Sequence, residues 1–94
     1  MIQLKVNFKK KGVNYEQVYK DEKLVIYSTS LPSYEVFCYR THKPDIYHTD
    51  SYEQYPSDES FGAWAWSCSD VNSVNRIIKK HFPKHKFAIE GFTV

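Results

Sequence analysis

The stretch that decides the fold runs from Val13 to Thr41, VNYEQVYK-DEK-LVIYST-SLP-SYEVFCYRT. Val13 to Tyr19 is rich in β-formers, Lys20-Asp21-Glu22-Lys23 is a polar turn, and Leu24 to Thr29 is a second strand-like run. Ser30-Leu31-Pro32-Ser33 breaks the chain again before a further strand from Tyr34 to Thr41. Each connection is too short for the crossover that a parallel pair requires, so these strands read as an antiparallel meander.

Working outward, Ile2, Leu4, Val6 and Phe8 alternate with Gln3, Lys5, Asn7 and Lys9, the period-2 pattern of a half-buried strand. Lys9-Lys10-Lys11-Gly12 breaks it at a glycine free to take positive φ, which predicts a hairpin into Val13. On the other side, residues 42–60 lose all periodicity and form a long loop containing Pro44 and Pro56. Trp64, Trp66 and Cys68 then alternate with Ala63, Ala65 and Ser67, a strand with one bulky and one small face. Ser69 and Asp70 are N-cap residues for a helix from Val71 to His81, whose Val71, Val74, Ile77, Ile78 and Phe82 recur at helical spacing. Pro83 ends it, and Phe87 to Val94 has the apolar content of a last strand. The expected fold is one α+β domain over residues 1–94, a mainly antiparallel sheet of four to six strands with one amphipathic helix on one face.

A chain of 94 residues has room for one core. Hydrophobic residues make up 41% and no apolar run approaches the roughly 20 residues of a membrane span, which predicts a folded cytoplasmic protein without a cleaved leader. Cys38 and Cys68 are expected as buried free thiols. The charge is unevenly laid out. Residues 1–43 carry eight Lys/Arg and four Asp/Glu, residues 44–75 none and six, and residues 76–94 five and one.

Few patterns point to catalysis. His81 and His85 have helical ligand spacing, but Pro83 lies between them; His42 and His48 share a loop with Asp45 and Asp50 without any HExxH or Cys/His pattern. No metal site is expected. There is no GxSxG elbow, and three glycines leave no phosphate-cradling loop, so neither a catalytic residue nor a cofactor is assigned. Two binding readings remain. Tyr47, Asp50, Tyr52, Glu53, Tyr55, Asp58 and Glu59 mix aromatic and acidic groups in one loop, suited to docking another protein with a basic surface. The alternative is single-stranded nucleic acid, held on Lys9, Lys10, Lys11, Lys79, Lys80, Lys84 and Lys86 with exposed tyrosines stacking on bases. A sequence pI of about 8.5 and the acidic loop count against it. An enzyme of unassigned chemistry is the second alternative, and a homo-oligomer is compatible with either binding reading.

Tyr34-Glu35-Val36-Phe37, followed by Tyr55-Pro56-Ser57-Asp58-Glu59-Ser60-Phe61-Gly62-Ala63-Trp64-Ala65-Trp66, resembles a pattern in short uncharacterised proteins of Bacteroides-type bacteria, their phages and mobile elements. The resemblance covers about a third of the chain and carries no known activity. It implies a small modulator that binds a host or phage protein.

Overall fold

A computed structural model describes residues 1–85. The fold is α+β. Five antiparallel strands stand in the order β1 (Asn7–Lys10), β2 (Val13–Lys20), β3 (Leu24–Thr29), β4 (Ser33–Cys38) and β7 (Ala65–Cys68), and a helix, α1 (Val71–His81), packs on one face. A two-stranded ribbon, β5 (Thr41–His42) and β6 (Tyr52–Glu53), projects from the connection between β4 and β7. The expected strand at 87–94 lies outside the described residues.

Local chemistry explains each turn. Lys11 and Gly12 both take positive φ, 51° and 80°, the backbone of a two-residue hairpin whose twist matches its strands. Between β2 and β3, Asp21 Oδ1 accepts from the amides of Lys23 and Leu24 at 2.7 and 2.8 Å, folding the chain back on itself. Asp70 caps α1 by accepting from the Ser73 amide at 2.7 Å, and the helix ends with Lys79, Lys80 and His81 at the negative end of its dipole.

The sheet is covered on both sides. Leu24, Ile26, Val36 and Cys68 meet Val74 and Ile78 of α1, while Val25, Tyr27, Phe37 and Ala65 pack on the other face against Trp64, with Leu4, Phe8, Tyr15, Tyr55 and Phe61 around them. Leu24 through Tyr27 are therefore all fully buried, which accounts for an unbroken apolar run where a half-exposed strand would alternate.

β2 changes sides partway. A bulge between Gln17 and Tyr19 shifts the register, so Tyr15 and Gln17 face the Tyr27 side but Tyr19 pairs with Ile26 and Lys20 with Val25. Tyr19 is thereby sent under the helix end and Lys20 to the opposite face.

Two expectations are corrected. Ile2 to Phe8 is not one strand. The regular strand starts at Asn7, and the preceding residues cross the Tyr27 face: Lys5 O accepts from Tyr27 Oη at 2.5 Å, and Ile2 forms a parallel bridge to Tyr52. Leu4 and Phe8 pack inward as their period suggested, but Ile2 and Val6 are exposed. Nor do the two tryptophans share a face. Gly62, at φ 92°, turns the chain so that Trp64 precedes the strand and packs edge-on to Phe37, while Trp66 lies on the helix side, stacked on His81 at 4.1 Å. Cys38 and Cys68 are free thiols, Cys68 buried as expected and Cys38 only half-buried. Cys68 pairs with Tyr34, four residues along β4 from Cys38, a separation of about 13 Å that no disulfide spans.

Candidate protein-binding surface

The loop expected over residues 42–60 is ordered by one buried anchor, one half-buried anchor and one turn. Glu53 is the first anchor, 8% exposed. Its Oε1 accepts from Lys20 Nζ at 2.5 Å and from the Leu4 amide at 2.9 Å, and its Oε2 accepts from Tyr39 Oη at 2.6 Å. Burial works against the charge, but these donors outweigh it and hold the carboxyl below its ordinary range. The second anchor is Tyr55, which lies among Phe8, Tyr15, Tyr27 and Phe37 with ring centroids 5.1 to 6.2 Å away. Its hydroxyl donates to Glu35, and burial followed by that carboxylate raises its pKa far above the ordinary phenol value.

Between the anchors and β4, the β5–β6 ribbon carries a connection, residues 43–51, that is exposed through Asp50. Asp45 shapes its tip. The Asp45 Oδ1 accepts from the Tyr47 and His48 amides at 2.8 and 2.9 Å, and the Asp45 amide donates to His48 O at 2.9 Å. The Tyr47 amide is the foremost reason the Asp45 carboxyl sits below its usual range, with His48 adding to it. Below the tip, the His42 and His48 rings pack on Tyr52 at 5.1 and 4.3 Å. Their Nδ1 atoms lie 3.7 and 3.2 Å from the two Asp45 oxygens. The turn thus holds Ile46 and Tyr47 out in solvent at 89% and 84% exposure.

Of the seven loop residues expected to meet a partner, Tyr47 and Asp50 are exposed on this connection, with Asp50 3.2 Å from the Met1 amino group. Tyr52 is the half-buried platform of the two histidines. Asp58 and Glu59 are exposed, but on a separate 3-10 turn over Asp58–Ser60. Glu53 and Tyr55 are a correction: both turn inward, because a carboxylate and a phenol with their hydrogen bonds met inside the fold serve to pin the loop. Ile46 was missed, and the one signal for it is the Asp45-to-His48 spacing of a side-chain-closed turn, which lifts whatever lies between.

The lysines form two separate groups. Lys9, Lys10 and Lys11 sit at the β1–β2 turn. Lys79 and Lys80 end α1 and Lys84 follows, in a segment tied to the other end of β2 by His85 Nε2, 2.6 Å from Asp21 Oδ2. The eight residues of β2 separate the groups by about 25 Å. Lys86 lies outside the described residues.

Asp21 is the most heavily bonded acid here. Partial burial opposes its charge, but Tyr19, His85 and the amides of Lys23 and Leu24 hold its carboxyl far below the ordinary value, and the same bond pushes the Tyr19 hydroxyl up to about 12. Sequence spacing hid this cluster, since His85 joins Asp21 across 64 positions. Burial raises both thiols, Cys68 to about 11, so each is protonated at neutral pH and is no ready nucleophile. Among the described residues no three His, Cys, Asp or Glu groups converge to hold a metal ion, and no helix is long and apolar enough to cross a membrane.

No family model matches the chain, and neither a curated protein nor a solved structure matches it.

Proposed function

We propose that this protein is a non-catalytic binding module for another protein, and that it makes contact through the tip of the β5–β6 ribbon. One observation carries the reading: Ile46 and Tyr47 are held 89% and 84% exposed on a turn closed by Asp45. Exposing two large apolar side chains side by side costs solubility, and fixing their backbone in advance reduces the entropy lost when they are buried by a partner. Tyrosine provides much contact area for few rotatable bonds, and the exposed Asp50 farther along the same connection, next to the Met1 amino group, suits a partner with a cationic rim around an apolar pocket. A modulator carried by a phage or mobile element would be of this kind.

The nucleic-acid reading has weaker support. Its two lysine groups stand at opposite ends of β2 and do not line one continuous basic groove.

The test is photocrosslinking in the cells that carry the protein, with benzoylphenylalanine at Thr49 beside the tip. A discrete protein adduct is expected, and Ile46→Ser with Tyr47→Ser should abolish it without moving the melting temperature. An adduct that survives the double substitution, or no discrete adduct at all, sinks the reading.

A further inference from the structure

We infer that β1 is a docking edge, and that its unpaired backbone takes up an extended acidic peptide as a further strand of the sheet. The inference is separate from the ribbon tip and involves neither Ile46 nor Tyr47.

The direction of the β1 backbone follows from its partner. The Asn14 amide donates to Ser30 Oγ at 3.0 Å and the Asn14 carbonyl accepts from the Ser30 amide at 3.0 Å, so both Asn14 groups point away from β1. Asn14 pairs with Lys9, and in an antiparallel ladder the two members of such a pair both turn their backbone groups outward. Lys9 therefore presents its N–H and C=O to the free edge. By the two-residue period Asn7, opposite Glu16, does the same, in agreement with the next inward contact, Gln17 N–H to Val6 O at 2.7 Å. Among the described residues nothing takes these four groups.

Charge selects what would cover them. Lys5, Lys9, Lys10 and Lys11 make no ion pair among the described residues. A second copy pairing through β1 would set lysines against lysines, the usual device by which an edge refuses its own kind. The same lysines attract carboxylates. Space is present on both faces of the edge. On the Tyr27 side a cleft of about 470 Å³ is lined by Lys5, Phe8, Lys10, Tyr55 and Pro56, and by Glu53, whose charge Lys20 meets. On the other side α1 lies over β4 and β7, leaving beside β1 a polar cleft of about 540 Å³ lined by Asn7, Lys9, Asn14, Glu16, Ser28 and Ser30. An added strand places alternate side chains in each, apolar ones over Phe8 and Tyr55 and acidic ones beside Lys9.

The test is an NMR titration of ¹⁵N-labelled protein with the peptide acetyl-Glu-Val-Glu-Val-Glu-Val-Glu-amide. Saturable shifts at the Asn7 and Lys9 amides are expected, with affinity lowered about tenfold or more when every peptide nitrogen is methylated, since that removes the donors and keeps the charge. Lys9→Pro, which deletes one outward N–H and no ladder bond, should weaken binding similarly, and Lys10→Glu with Lys11→Glu should abolish it. Equal binding of the methylated peptide, of its Lys-for-Glu counterpart, or of an oligothymidylate at the same amides would overturn the inference. So would the absence of any shift at Asn7 and Lys9.

Discussion

Glu53 illustrates what a single residue can conceal. It sits in the most acidic third of the chain, where a carboxylate reads as solvated, yet its three donors come from Leu4, Lys20 and Tyr39, each at least 14 positions away. Replacing it breaks a mostly buried ion pair and orphans the Leu4 amide and the Tyr39 hydroxyl, whereas Lys20, 24% exposed, reaches water and recovers part of the loss. Glu53→Ala should therefore cost about 2 kcal/mol in urea unfolding, a fall of about 10 °C in melting temperature. Tyr47→Ala, fully in solvent, should change stability by no more than about 0.5 kcal/mol. Equal effects for the two would mean that the Glu53 cluster does not pin the loop. Nothing near Glu53 in the sequence distinguishes it from Glu59, because what separates them is tertiary.

Elements were far more legible than side-chain partners, and the reason is local. Leu24–Thr29 is bounded on both sides by residues whose chemistry makes turns, and Val71–His81 is bounded by an N-cap aspartate and followed by Pro83, so both ranges follow from neighbouring residues. The alternation in Ile2 to Phe8 told correctly which way Leu4 and Phe8 point but not that the chain crosses a sheet face before joining its edge, since an extended crossing segment also has period 2. The tryptophan pair differs for the converse reason: Trp64 still belongs to the turn that Gly62 begins and the strand starts only at Ala65, so one unbroken alternation in the sequence spans a turn residue and a strand. For the helix, Asp70→Ala should remove the bond to Ser73 and a negative charge at the dipole's positive end, lowering the midpoint of chemical denaturation, and Asp70→Ser should restore most of it. No recovery with serine would place the effect outside the cap.

At the scale of the molecule, the charges act together on acid stability. Asp21 and Glu53 both have folded-state pKa values below their ordinary 3.8 and 4.5. The unfolded chain thus binds protons that the folded one refuses, so their contribution is complete above those ordinary values and is lost as pH falls through the folded ones. Unfolding midpoints in urea should be steady from about pH 7 to 5 and drop steeply towards pH 2, and Asp21→Asn should flatten the most acidic part of that fall. An unchanged slope in the variant would show that Asp21 is not held as its four donors imply. The two clusters lie on opposite faces of the sheet, the Tyr19 one beneath the helix end and the Lys20 one beneath the ribbon, so acid loosens both coverings at once.

Both clusters draw on adjacent residues of one strand, and the extra residue at the bulge sets their phase. Were Val18 taken into a regular ladder opposite Ile26, Tyr19 would fall opposite Val25 and every side chain beyond would invert, withdrawing Tyr19 from Asp21 and Lys20 from Glu53 in the same step with no change of composition or charge. The irregularity works as a half-twist in a ribbon, letting a single edge of text be read from the front up to Gln17 and from the back after it.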